Sequence, residues 1–146
     1  MKQLYQLSGA EKRVVKDRLR AALAGRSEVR FAYLHGSFLE ADRFRDIDVA
    51  ISVDPERLRD SDLTDYELDL EPVLEREIGM PVDVRVVEHA PASFRYAVTR
   101  GEELTVQNRE AWATFRERTW NDYLDFAPLR EEALRDLARL VRRKSY

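Results

Sequence analysis

Leu34-His35-Gly36-Ser37, a connection of eight residues (Phe38 to Arg45), and then Asp46-Ile47-Asp48-Val49-Ala50-Ile51 decide the reading of this chain. Side chains alternate along a strand, so Asp46 and Asp48 share one face while Ile47, Val49 and Ile51 take the other, toward a core. Two neighbouring carboxylates repel. A fold tolerates that in solvent, or uses it around a hard cation such as Mg²⁺, which takes carboxylate and phosphate oxygens. Upstream, Val29 to His35 is rich in β-formers and reads as a strand. Gly36-Ser37 breaks it, and a short helix follows. Glycine permits close backbone approach to a phosphate. The free N–H groups of a helix start point at phosphate oxygens, and the Ser37 hydroxyl adds a donor.

Downstream, Pro81 to Val87 alternates again: Val82, Val84 and Val86 face one way, Asp83 and Arg85 the other. If this strand pairs beside the second, Asp83 lies next to Asp46 and Asp48. Three carboxylates on neighbouring strands can hold two cations about 3.5–4 Å apart, the two-metal arrangement for in-line attack at phosphorus. Arg43 and Arg45 flank the metal strand and either hold a triphosphate or pair with Glu40 and Asp42. Arg85 contacts phosphate or pairs with the carboxylates. Asp83 acts as a general base toward an attacking hydroxyl or only shares a metal. His35 is expected to pack at its strand end, and His89 to sit in a loop.

The remaining elements frame this core. Ser8 and Glu11 form a capping box for a helix over 9–25, whose apolar stripe is Val14, Val15, Leu19, Ala22 and Leu23 and whose stop is Gly25. Asp54-Pro55 reads as a cap with proline at the first helical position, opening an acidic helix to Ile78 with a break near Ser61–Thr64. Pro91 to Arg100 is a short helix and Glu103 to Val106 a short edge strand. Two helices end the chain, over 108–126 and 129–143, separated by Pro128. The fold class is α+β, close to α/β: a small mixed sheet with flanking helices and two C-terminal helices. One domain is expected over 1–146, with its core at 29–106 and a helical extension at 108–143.

Composition narrows the functions. The chain has 146 residues, 25 Lys+Arg, 28 Asp+Glu and no Cys. Lack of cysteine excludes a disulfide framework, Cys-ligated zinc, Fe–S clusters and a thiol nucleophile. No apolar run approaches the ~18 residues of a membrane span, and the opening residues lack the apolar stretch of a signal peptide, so a cytoplasmic location without membrane partners is expected. A net charge of −3 disfavours general nucleic-acid binding.

Gly36, Ser37, Asp46, Asp48 and Asp83 together resemble the signature of the minimal nucleotidyltransferases (the MNT family) of the DNA polymerase β superfamily. The resemblance covers residues 29–88 and continues more loosely to the C-terminal helices. The eight-residue connection between Ser37 and Asp46 is shorter than the family's usual one, which bears on how a triphosphate is cradled. The resemblance implies a polymerase β-type fold and Mg²⁺-dependent transfer of AMP from ATP. It assigns two Mg²⁺ ions to Asp46, Asp48 and Asp83, and nucleotide contacts to Gly36, Ser37, Arg43 and Arg45. Many family members are antitoxins of HEPN–MNT pairs, so the implied partner is a HEPN RNase toxin carrying an acceptor tyrosine. The alternatives are a small-molecule or RNA acceptor, or a non-catalytic module that neutralises its partner by binding.

Two surfaces bear on that partner. Leu129, Ala133, Leu134, Leu137, Leu140 and Val141 form an apolar stripe on the last helix. Trp112, Phe115, Trp120, Tyr123 and Phe126 supply aromatics on the helix before it. These helices either cover the sheet or dock a partner. The acidic segment from Asp60 to Glu77 is a solvated helix face or meets a basic partner surface.

Overall fold

The computed structural model describes the backbone of residues 3–125 and 127–144 and the side chains of 3–125 and 131–140. Phe126 and the side chains of Leu129 and Val141, read above as part of the C-terminal apolar surfaces, lie outside the described residues.

Helix α1 spans Gly9–Ala24 and starts at the expected capping box: Glu11 N–H donates to Ser8 Oγ, and Ser8 N–H donates to the Glu11 carboxylate. Such a cap contributes about 1 kcal/mol. Val15, Leu19 and Leu23 are buried, as expected. Val14 is not: it is 51% exposed. It lies one position, about 100° around the helix, before Val15, just outside the buried stripe.

Four strands follow in one mixed sheet: β1 (Val29–His35), β2 (Ile47–Val53), β3 (Val82–Val86) and β4 (Glu102–Val106), in the order β3-β2-β1-β4. β1 runs antiparallel to β2 and β4, and β3 runs parallel to β2. The short helix α2 (Ser37–Glu40) links β1 toward β2. Helix α3 (Leu63–Ile78) carries the crossover to β3, and α4 (Ala92–Thr99) links β3 to β4.

One face of the sheet buries Val29, Ala32, Leu34, Ile47, Val49, Ile51, Val53, Val82, Val84 and Val86 against α1 and α3. The other face is apolar only in part. Phe31, Tyr33 and Ala50 pack with Val87, Val98, Phe94, Trp112 and Phe115. This is why β1 reads as a nearly continuous apolar run: both of its faces are covered. Trp112 sits on α5 (Arg109–Asp125) and its indole N–H donates to the Tyr33 hydroxyl at 2.8 Å. Helix α6 (Ala127–Lys144) packs on α5 rather than on the sheet. Ala133 there is buried beside Tyr96 and Tyr123, while Leu134, Leu137 and Leu140 are exposed. Pro128 falls in the first turn of α6, where its missing N–H costs no helical hydrogen bond.

Asp54-Pro55 does not open a helix. Asp54 instead caps a turn, accepting Glu56 N–H on Oδ1 and Arg57 N–H on its carbonyl oxygen. A single 3₁₀ turn, Asp60–Asp62, then leads into α3. An aspartate before proline serves a turn as well as a helix cap, and the turn prevails here.

Three acids of α3 are bound to the sheet, while Asp65, Asp69 and Glu77 are exposed. Glu67, Glu71 and Glu75 accept the backbone N–H groups of Val86, Val84 and Val82 at 2.7, 2.9 and 3.1 Å. Four helical residues rise about 6 Å, and two strand residues advance about 6.6 Å, so glutamates at every fourth position match the outward N–H groups of β3. Burial pushes the Glu71 carboxyl above its usual range, against the pull of the Val84 N–H, and nearby Asp83 adds to the rise.

Candidate active site

At one end of the second face the strands bring their polar residues together. The antiparallel register pairs His35 with Asp48, and the parallel register pairs Asp48 with Asp83. Paired residues on adjacent strands stand about 4.8 Å apart, so two carboxylates and an imidazole line one row across β1, β2 and β3. Asp46 lies on the bend just before β2 and lines a cleft of about 300 Å³ with Leu4, Ser37, Arg43, Phe44 and Arg45. Asp48 and Asp83 are direct neighbours; Asp46 belongs with Ser37 and the two arginines. Among the described residues, no group of three His, Cys, Asp or Glu side chains is gathered closely enough to hold a metal ion. Asp83 leans to Arg85 Nε, 3.4 Å from its Oδ1.

Gly36 begins α2 with φ +81°, a value L-residues with side chains rarely adopt. A Cβ there would run into Asp48 Oδ2. The glycine therefore lets the turn after β1 lie directly against the Asp48 carboxylate. Leu39 and Glu40 N–H donate to the Gly36 carbonyl, closing the short helix.

His35 packs edge-on against Phe94 with ring centroids 5.2 Å apart, and its buried Nε2 has no hydrogen-bond partner. Burial holds its pKa below the ordinary imidazole value, partly offset by Asp83 and Glu40. It is a packing residue at the strand end, as expected. His89 ends a 3₁₀ turn over Val87–His89, and its Nε2 lies 2.8 Å from Glu67 Oε2.

Two supports of this region have no signal in the local sequence. Tyr5 and Phe44 form an isolated antiparallel bridge, exchanging N–H···O bonds of 2.8 and 3.1 Å, and their rings stack at 5.8 Å. Lys12 on α1 donates to the carbonyl oxygens of Phe38 and Ala41 at 2.7 and 3.3 Å and lies over the Phe38 ring. The connection between Ser37 and Asp46 is thereby tied to the N-terminal segment at Phe44 and to α1 at α2. Arg43 and Arg45, on either side of the tied Phe44, line the same cleft as Ser37 and Asp46. Pairing across 39 positions leaves no periodicity to read; only the aromatic character of Tyr5 and Phe44 hinted at burial.

A second polar cluster lies farther along the same face. Ser52 Oγ accepts from Arg30 Nε at 3.1 Å and donates to Glu88 Oε2 at 3.0 Å, while Val53 N–H donates to Glu88 Oε1 at 2.5 Å. Arg30 also faces the Glu88 carboxylate at 3.6 Å. Burial raises the Glu88 carboxyl above its ordinary value, although Val53, Ser52 and Arg30 all oppose it.

No described helix is long and apolar enough to cross a membrane. No curated protein sequence matches the chain. Among solved structures, the chain is similar to one of the tri-AMPylated HEPN toxin of Shewanella oneidensis in complex with MNT antitoxin. The identity is 18%, the TM-score 0.62, and the match covers 87% of this chain and 98% of that one. A toxin–antitoxin structure with AMP-PNP matches at 20% identity and TM-score 0.63, covering 84% and 98%. The MntA–HepT toxin–antitoxin structure matches at 18% and 0.57, covering 90% and 99%. At these identities the likeness is one of fold. The family model for "Polymerase beta, Nucleotidyltransferase" matches residues 17–110, which takes in the second half of α1, the whole sheet and every residue of the carboxylate row. The match spans more than half of the chain, which belongs to the polymerase beta nucleotidyltransferase family.

Proposed function

We propose that this chain is a Mg²⁺-dependent protein adenylyltransferase that transfers AMP from ATP to a tyrosine of a HEPN RNase toxin and so acts as its antitoxin in the cytoplasm. The observation that carries the reading is the register placing Asp48 beside Asp83, with the Gly36 turn lying on the Asp48 carboxylate. A structural role does not require two acids side by side at the mouth of a glycine turn. A divalent cation bound with a triphosphate gives such a pair a use.

The donor set fits magnesium, since it offers only hard oxygens. Asp46 and Asp48 would hold the ions with Asp83 as the third carboxylate; when bound, they would neutralise triphosphate charge and favour ionisation of the attacking hydroxyl. The Gly36–Ser37 amides, the Ser37 hydroxyl and the side chains of Arg43 and Arg45 bind and orient the phosphates. Restraint of Phe44 by Tyr5 keeps those arginines in place. In the reaction, the tyrosyl oxygen bonds to the α-phosphorus and the bond from that phosphorus to the bridging oxygen breaks. Pyrophosphate departs, and the phenolic proton passes to Asp83. The similar structures, of a tri-AMPylated HEPN toxin with MNT antitoxin and of a toxin–antitoxin with AMP-PNP, support this choice of nucleotide and partner. The exposed Leu134, Leu137 and Leu140 on α6 offer an apolar docking surface.

Intact-mass analysis tests the reading: the chain is mixed with the HEPN protein of the neighbouring gene, Mg²⁺ and ATP. The expected result is a gain of one or more AMP units on the HEPN protein. No gain, with ATP binding retained, would redirect the activity to another acceptor. The alternative is a non-catalytic module that neutralises its partner by binding. That alternative wins if the chain neither binds nor transfers nucleotide but still neutralises the toxin.

A further inference from the structure

We infer that the acceptor tyrosine enters through a second cleft, between α3 and α4 at the outer edge of β3, lined by Thr64, Glu67, Arg85, His89, Pro91 and Phe94. The inference rests on the nucleotidyl-transfer reading above and adds the acceptor's place to it. The cleft measures about 370 Å³ and opens to solvent. In the β2–β3 register, Asp48 pairs with Asp83, Ala50 with Arg85 and Ile51 with Val86. Going along the strands, the cleft of Ser37, Arg43, Arg45 and Asp46 comes first, the paired carboxylates next, and this second cleft last. In-line displacement at phosphorus requires the attacking and leaving oxygens on opposite sides of the phosphorus atom. With the triphosphate held at the first cleft, the incoming hydroxyl belongs at the second.

The walls suit a phenol. Phe94 and Pro91 give flat apolar surfaces to an aromatic ring. Phe94 also packs on His35, the cross-strand neighbour of Asp48, so the apolar wall runs up to the carboxylate row. Arg85 joins the two regions: it lines the cleft and contacts Asp83. A hydroxyl at the inner end of the ring would therefore be delivered to Asp83, while the ring stays out of the phosphate site. A polypeptide segment can reach this opening from solvent, between α3 and α4.

The absence of cysteine makes the test clean. Thr64 is exposed at the rim, so Thr64→Cys introduces a single thiol without disturbing packing. The purified variant is labelled with a bulky maleimide before the HEPN protein, Mg²⁺ and ATP are added. The unlabelled Thr64→Cys protein is the reference for both transfer and MgATP affinity. Labelling should lower transfer roughly 100-fold, as displacement of an oriented reactant does, while MgATP affinity stays unchanged. Full transfer by the labelled protein would overturn the acceptor cleft and leave the adenylyltransferase reading intact. Loss of MgATP affinity on labelling would also overturn it, and would give the cleft to the nucleotide base. No transfer by the parent chain would instead remove the reading on which the inference rests.

Discussion

Two polar clusters share one face of the sheet, and they balance charge in opposite ways. In the cluster of Arg30, Ser52 and Glu88, each polar side chain meets a donor or acceptor of matching kind, and the carboxylate faces a guanidinium. In the row of His35, Asp48 and Asp83, two acids stand in register and the imidazole Nε2 has no partner. The first cluster is complete as it stands and joins β1 and β2 to the turn after β3. The second sets two carboxylates side by side at a glycine turn, with Arg85 against Asp83. Residue type therefore does not distinguish a structural cluster from a functional one here; the juxtaposition of like charges does.

Four variants sharpen or break this contrast. Asp46→Asn with Asp48→Asn should reduce AMP transfer by at least about 1000-fold, since loss of metal-type charge stabilisation is a dominant effect. The thermal midpoint should change little, because asparagine keeps the size of aspartate and one acceptor oxygen. A large drop in midpoint would make the row structural and end the comparison. Next, Gly36→Ala forces a side chain into an unfavourable backbone region and against Asp48. It should cost about 1–3 kcal/mol of stability and roughly 100-fold in transfer, read by denaturant unfolding and by intact mass.

Tyr5→Ala removes the ring stacked on Phe44. Its expected signature is a rise of about 5–10-fold in KM for MgATP with a smaller change in kcat, the pattern of lost substrate binding. Equal loss in both would mean that Tyr5 only supports the fold. The smallest effect belongs to the balanced cluster. Glu88→Gln should leave transfer unchanged and lower stability by about 1 kcal/mol at acid pH. The Glu88 carboxyl is raised in the folded chain from 4.5, so the unfolded chain loses its proton first. Wild-type stability from this group is full below pH 4.5 and declines as pH rises through the raised value. The gap between Glu88→Gln and wild type should accordingly narrow over that interval in pH-dependent unfolding curves.

Much of this arrangement was legible along the chain. β1 runs over Val29–His35 as its β-formers indicate, and the alternation around Asp48 and Asp83 anticipates their faces and their pairing. Period-two signals survive into structure because one face of each strand must be buried. Three features were not legible, for different reasons. The Asp54-Pro55 pair has the same chemistry whether it starts a helix or closes a turn. Val14 satisfies helical spacing loosely, yet a rotation of about 100° per residue carries it past the core. The tie between Tyr5 and Phe44 is a contact between segments far apart in sequence, and only tertiary structure brings it about. Asp46 illustrates the limit for the site itself. Its face follows from alternation, but its distance from Asp48 and Asp83 depends on a bend outside the strand.

The row of Glu67, Glu71 and Glu75 along β3 has a consequence for self-association. An outer strand with free N–H groups is a template onto which another chain can add a strand. Here the side chains of a helix occupy those positions, and their negative charge repels an approaching backbone carbonyl. This edge of the sheet is closed to strand addition without a bulge or a proline. Its protection rests on carboxylates, so acidification and glutamate-to-alanine changes on α3 are the conditions that would expose it to aggregation.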